Sequence, residues 1–250
     1  MATPSTSPTR PDRPGRGLAG DLILLAGTPD AGSSVPALLR SITQYTADLL
    51  PAVSYASVTA AEEDSYVTVA LSSESALAVD EAQYAAGDGP CLNALRTADP
   101  TSVPRIDATV QWPGFRAEAR RLGLHASLSI PLFAGRGTSI AALNLYSHDL
   151  HAMAPLSAAV LAIFEGSTLE SSGKGTPDHL GPGPAQLVDG LLGAFAVRSR
   201  IQQALGVIMA AEHMTADSAY TILCSGAVAG AVALSSAAES VVARAGDNQS

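Results

Sequence analysis

Cysteine is scarce in this chain: its 250 residues include two, Cys91 and Cys224. Two thiols in a chain this long build no disulfide framework. Charge is scarce too. Only 15% of residues are Asp, Glu, Lys or Arg, and 23 acidic against 14 basic residues leave a formal net charge of −9. Such a chain has no overall field to draw in nucleic acid, so any contact with it must come from a local basic patch. Long apolar runs are missing: Leu22 to Ala26 is far short of the roughly 20 residues that cross a bilayer as a helix. No basic-then-apolar leader opens the chain, which predicts a cytoplasmic protein that makes no membrane contact. The nucleophile elbow, the phosphate loop and the zinc-peptidase signature are absent, and Gly87-Asp-Gly89-Pro90 lacks the strand-loop-helix setting of a dinucleotide site. No internal repeat is visible. His148 and His151 flank Asp149 too loosely for a metal site, and the other histidines (His125, His179, His213) stand apart. Neither a metal nor a cofactor is expected.

What remains is an apolar, lightly charged chain, 47% hydrophobic, with ample material for a core. Met1 to Gly17 is rich in Pro, Ser, Thr and Arg and reads as a disordered tail, with Arg10, Arg13 and Arg16 as a loose basic arm. Leu38, Leu39, Ile42, Tyr45 and Leu49 repeat at helical spacing, with Pro36 in the first turn and Pro51 as the stop. Val53 to Val58 and Tyr66 to Leu71 read as strands around the solvated turn Glu62-Glu63-Asp64, with Val67, Val69 and Leu71 on one face. Gly87, Gly89 and Pro90 break the chain before a short helix from Cys91 to Arg96. Ser102 to Ile106 is a brief strand, and Trp112-Pro113 opens a helix that Gly123 closes. His125 to Leu132 alternates, Ser139 to Tyr146 is apolar on both faces like a central strand, and Gly135 to Gly137 turns between them. Pro155 is expected to open a helix running to about Leu169.

Ser171 to Pro184 is dominated by glycine and proline and reads as a connector. Beyond it, Leu187, Leu191, Ala194, Val197, Ile201, Ala204 and Ile208 form one helical stripe, while Arg198, Arg200, Gln202 and Gln203 lie mostly off it. Steps of three and four also suit a coiled-coil seam, so the stripe can serve a core helix or meet a second copy. Thr215 can cap a second helix with Asp217 in its first turn. Ser236-Ala-Ala-Glu239 has capping-box spacing ahead of Val241-Val242, the third helix.

The run Arg200-Ile-Gln-Gln-Ala-Leu-Gly-Val-Ile-Met209, with Thr215 to Tyr220 and Leu234, Ala238, Val241 and Val242, resembles the ANTAR domain. That family is a three-helix RNA-binding module of bacterial transcription antiterminators, and the likeness covers about Pro184 to Ala245. It departs at Leu205, where the family usually has lysine, and at Cys224 to Ser235, which has no Lys or Arg. Upstream, five blocks resemble a GAF domain of the type found ahead of ANTAR domains in actinobacterial regulators: Asp80-Glu-x-Gln83-Tyr84, Gly87-x-Gly89-Pro90-Cys91, Trp112-Pro113-x-Phe115, Ser129-Ile-Pro-Leu132 and Ala142-Leu-Asn-Leu-Tyr146. They cover about Val35 to Leu169.

The expected fold class is therefore α+β: a GAF-like antiparallel sheet flanked by helices, then an all-α three-helix ANTAR-like bundle. The expected division is a tail at 1–17, the sensor at 18–170, the linker at 171–184, the helical unit at 185–245 and a short tail at 246–250. The resemblance implies a sensor for a small-molecule or protein signal, structured RNA as partner, and a homodimer. Arg198, Arg200 and Gln203 are the candidate RNA contacts, since arginine pairs with phosphate and stacks on bases. From Gln186 to Ala245 there are three basic and four acidic residues, so backbone attraction alone is weak. A protein-interaction module that has lost RNA contact is the alternative. Cys91, at a helix start, could have a lowered pKa and sense redox state or ligand, or be a small buried hydrophobe. Methionine sulfoxide reduction, known in some GAF-like domains, usually wants a second thiol, and the sensor has only Cys91. No catalytic role is expected.

Overall fold

The computed structural model describes residues 17–63, 65–166 and 180–247. Residues 1–16 of the expected tail, Asp64 of the expected turn, the end of the helix expected to reach Leu169, His179, most of the connector and the last three residues lie outside the described residues. In chain order the elements are α1 (Gly17–Ala26), α2 (Val35–Leu49), β1 (Tyr55–Glu62), β2 (Ser65–Leu71), α3 (Glu74–Ala86), α4 (Pro90–Thr97), β3 (Thr101–Val103), α5 (Pro113–Arg121), β4 (Ala126–Ala134), β5 (Thr138–Ser147), α6 (Leu150–Phe164), α7 (Pro182–Glu212), α8 (Ala216–Ala229) and α9 (Leu234–Asp247).

The strands pair antiparallel in a five-stranded sheet ordered β2-β1-β5-β4-β3. β5 is central, so Ala141 to Ser147 is buried on both faces. The β4–β5 turn uses Gly135 and Gly137, both at positive φ, which a side chain would strain. Pro131 lies within β4, where a missing N–H normally breaks a ladder. β3 pairs only with Ser127 to Ser129, so the outer edge of β4 is already unpaired at Pro131.

Alternation sorts the sheet's side chains into two layers. Val58, Leu128, Ile130, Leu132, Leu143 and Leu145 face α1, α2, α6 and the first half of α7, whose Leu187, Val188 and Leu191 join this core. On the opposite face α3 and α5 pack through Val79 and Phe115 against Tyr146. A second core lies beyond the sheet. Ile201, Ala204, Leu205 and Ile208 of α7 meet Ala219, Tyr220 and Leu223 of α8 and Leu234 and Ala238 of α9. The stripe read from the sequence is thus filled within one chain, by the sheet's core at its start and by α8 and α9 at its end. Each buried leucine contributes about 1.5–3 kcal/mol relative to exposure.

Four local expectations change. Gly17–Ala26 is a helix, not the end of a tail followed by a short apolar run; its Leu18, Leu22 and Leu25 are buried and Asp21 accepts from Ser41 at 2.5 Å. α6 begins at Leu150 rather than at Pro155, because the Asp149 carboxylate caps it by accepting from the His151 and Ala152 N–H groups. α9 begins at Leu234, so Ser236 sits inside the helix and the capping box is not used. In β2 a register shift opposite Val58/Thr59 leaves Leu71 exposed and Ala70 buried.

Candidate functional site

A polar cluster lies between α3 and the sheet. Ser73 caps α3 by accepting from Ser75 N–H at 3.2 Å. Positions 80, 83 and 84, three and four apart, then fall on one helical face. That face brings Asp80, Gln83 and Tyr84 onto Thr59 of β1, Thr68 of β2, and Asn144 and Tyr146 of β5. Asp80 is fully buried. Its Oδ1 accepts from the Tyr146 hydroxyl at 2.6 Å and from Asn144 Nδ2 at 3.4 Å, and its Oδ2 accepts from the Thr68 hydroxyl at 2.9 Å. The Tyr84 hydroxyl lies 2.8 Å from both Thr59 Oγ1 and Thr68 Oγ1. Asn144 Nδ2 also donates to Thr59 Oγ1 at 2.9 Å. Gln83 bridges outward: its Nε2 donates to the Tyr146 hydroxyl at 3.2 Å and its Oε1 accepts from Cys91 N–H at 2.9 Å. A side chain at Gly89 would strike Gln83, which accounts for the small residue before Pro90. Asn144 Oδ1 and Ser127 Oγ are buried with no protein hydrogen-bond partner.

Burial lifts the Asp80 carboxyl from its ordinary value to about 6, and the hydrogen bonds of Tyr146, Ser57, Thr68 and Asn144 pull back part of that rise. Burial, then the Asp80 charge, pushes the Tyr84 and Tyr146 hydroxyls upward. The Cys91 thiol follows the same rule. It is fully buried, and burial, then Asp80, raise its pKa. Of the two readings open for Cys91, the buried one holds: any lowering at the helix start is outweighed, because a half-charge of helix dipole is small beside the loss of water. Cys91 sits here as a buried protonated thiol, and Cys224 packs half-buried against the helical core. The cluster is thus a set of interlocked donors and acceptors around one carboxyl whose pKa burial raises to about 6.

The three candidate RNA residues do not share one face. Arg198 and Arg200 are two residues apart, roughly 200° around a helix. Arg198 turns to the β4–β5 hairpin, where its Nε donates to Gly137 O at 2.9 Å and its guanidinium stands 4.0 Å from the Phe133 ring centre. Burial lowers its pKa somewhat. Arg200 and Gln203 are exposed together, 3.5 Å apart at Nη1 and Oε1. Leu205 is 5% exposed, so an apolar residue stands there because the position faces the core. Cys224 to Ser235 borders a groove of about 550 Å³ lined by Val207, Ile222, Val232 and Val241 among others. The Asp149 carboxylate is used as a helix cap and His148 Nε2 sits 3.1 Å from Leu122 O. Among the described residues no group of three or more His, Cys, Asp or Glu could hold a metal, and no single helix is long and apolar enough to cross a membrane.

Sequence reasoning marked the Asp80-Gln83-Tyr84 block but assigned it no chemistry, and it did not find Thr59 or Thr68. Asn144 and Tyr146, polar groups two apart in an otherwise apolar central strand, were the available signal. It also missed the ion pairs that join Asp30, Arg136 and Asp217.

The GAF domain family matches residues 32–165, more than half of the 250-residue chain. The chain belongs to the GAF domain family, which makes its α+β part a sensor or interaction module. The match ends before α7, so the helical unit lies beyond it. No curated protein matches the chain. Among solved structures, the type II free methionine-R-sulfoxide reductase from Thermoplasma acidophilum is similar over 51% of this chain and 85% of its own, at 16% identity and a TM-score of 0.40.

Proposed function

We propose that this protein is a cytoplasmic, signal-responsive regulator whose GAF domain receives a small-molecule or protein signal and whose ANTAR-like helical unit binds structured RNA and acts in transcription antitermination. The observation that carries the reading is α7. This one 31-residue helix contributes Leu187, Val188 and Leu191 to the sensor core and Ile201, Ala204, Leu205 and Ile208 to the helical core. A change in the sensor that shifts α7 is therefore felt by α8 and α9. The signal would act on the cluster around Asp80, where orphaned Asn144 Oδ1 and Ser127 Oγ leave hydrogen-bonding capacity unused.

RNA as the output rests on the resemblance of the three helical blocks and on the exposed pair Arg200 and Gln203. Arginine can stack on unpaired bases and fork onto phosphate. A homodimer would double the few guanidinium groups. Cys91 belongs to the sensing cluster in this reading. A buried protonated thiol with no second cysteine in the sensor is poorly placed for thiol-disulfide turnover, so we read the protein as non-enzymatic. Ultraviolet crosslinking of the full chain to RNA in cells tests the output. Crosslinks on the exposed surface of α7 that are lost in Arg200→Ala are expected; crosslinking at the level of an RNA-indifferent protein would refute it.

One observation favours a second reading. The apolar groove beside α8 is lined by Ile222 and Val232, and Val228 of the same segment, which has no Lys or Arg, is a third exposed large hydrophobic. This suits a helical unit that grips a protein. Recovery of a stable protein partner free of RNA, lost when Val228 and Val232 become Ser, would decide for it.

A further inference from the structure

The β4–β5 hairpin does more than join two strands. Its tip reaches out of the sensor and touches the helical unit at four residues, Arg198, Gln202, Asp217 and Tyr220. Arg136 donates through Nε to Asp30 Oδ2 at 2.8 Å and through Nη1 to Asp217 Oδ1, at the start of α8, at 2.7 Å. The same guanidinium lies 4.8 Å from the Tyr220 ring centre, and the Tyr220 hydroxyl in turn accepts from Asp30 N–H at 3.2 Å. One residue on, Gly137 O takes the Arg198 Nε–H, while Arg136 O accepts from Gln202. The approach is close enough that a Cβ at Gly137 would stand 2.7 Å from Gln202 Nε2.

We propose that this hairpin is a mask: in the conformation described it withholds Arg198 from RNA, and release of the Arg136 clamp presents it. The inference rests on the RNA-binding reading above and adds its regulation. Three features support it. Arg198 is turned away from Arg200 and Gln203, with its Nε–H held by the Gly137 carbonyl and one guanidinium face against the Phe133 ring, so neither the Nε side of its fork nor that face can meet a phosphate or a base until it leaves both. The clamp is built from partly exposed ion pairs, with Arg136 at 42% and Asp217 at 83% side-chain exposure, and such pairs hold weakly enough to be released. The hairpin is also continuous with β4 and β5, and β5 carries Asn144 and Tyr146 of the polar cluster on its other face. A rearrangement around Asp80 therefore has a covalent path to the clamp.

The test is RNA affinity of full-length variants, measured with a labelled pool of RNA stem-loops of randomised loop sequence. Arg136→Ala removes a positive charge, which by itself weakens RNA binding. Opening the mask predicts the opposite, a gain of about tenfold, as expected if the closed form holds about nine-tenths of the molecules. Asp217→Asn is the second variant, at a side chain 83% exposed in the first turn of α8. It should gain more than Glu212→Gln, which makes the same change of charge on α7 away from the clamp. Equal affinity of Arg136→Ala and wild type, or equal gains for Asp217→Asn and Glu212→Gln, would overturn the mask and leave the RNA reading standing. If no variant binds the pool, the RNA reading fails and the mask falls with it.

Discussion

At the residue scale, the decisive quantity is the cost of keeping charge dry. Asp80 has its pKa raised from 3.8 to about 6, so between those pH values the folded state holds a proton that the unfolded chain has released. Its contribution to stability is complete below about pH 4, declines as pH rises to about 6, and is flat above that. The change is about 3 kcal/mol at 1.4 kcal/mol per pKa unit. Denaturant titrations of wild type and Asp80→Asn across this range should show the variant gaining on the wild type as pH rises; a constant difference would mean the carboxyl is already ionised. Leu205 gives a second prediction. Placing at this position the lysine usual in the ANTAR family, which the helical unit resembles, puts an ammonium at a buried site. Leu205→Lys should cost about 2 kcal/mol or more in unfolding free energy and should not raise RNA affinity. Thermal and denaturant melts with parallel RNA titrations check both parts. Cys91 shows what the sequence could not decide. Gly-Pro-Cys fixes a helix start, but whether a thiol there is activated depends on the water around it, and that depends on Gln83, Tyr146 and the sheet.

Among the elements, α7 decides the arrangement. Its approach to α1 depends on Gly190, where a Cβ would stand 2.8 Å from Ala19 Cα and 2.7 Å from Leu22 Cδ1. Gly190→Leu should push the two helices apart at a cost of about 1–3 kcal/mol. Hydrogen exchange should then accelerate in α1 and the first half of α7 before the rest; unchanged protection there would show that α1 does not depend on this contact. Most strands and helices were legible, because the alternation in β4, the two-sided apolar run of the central strand β5 and the stripe on α7 each match the period or the burial of their element. α1 was not, because its sequence is apolar nearly all round and carries no period. The starts of α6 and α9 were misplaced for a related reason. Pro155 and Ser236 have the right chemistry for a helix start, but Asp149 captured the first turn of α6, and Leu234 was drawn into the helical core.

Across the whole molecule, the sequence separated a sensor from a helical unit, and both cores are present. What it did not reveal is that the first half of α7 packs with the sensor, since a continuous stripe looks the same whichever core it enters. Nor did it reveal that Arg198 meets Phe133, a contact between residues 65 positions apart. These long-range pairings govern which arginines are free, and so how the protein could grip RNA. The most direct test is equilibrium binding of the full chain to RNA stem-loops, competed with unstructured RNA over a range of salt concentrations. Stem-loop binding that resists the competitor is expected, with a shallow dependence of about 0.7 per phosphate contact on a logarithmic scale and a clear loss in Arg200→Ala with Gln203→Ala. Equal competition by unstructured RNA, or affinity unmoved by removing both side chains, would contradict a role in recognising folded transcripts.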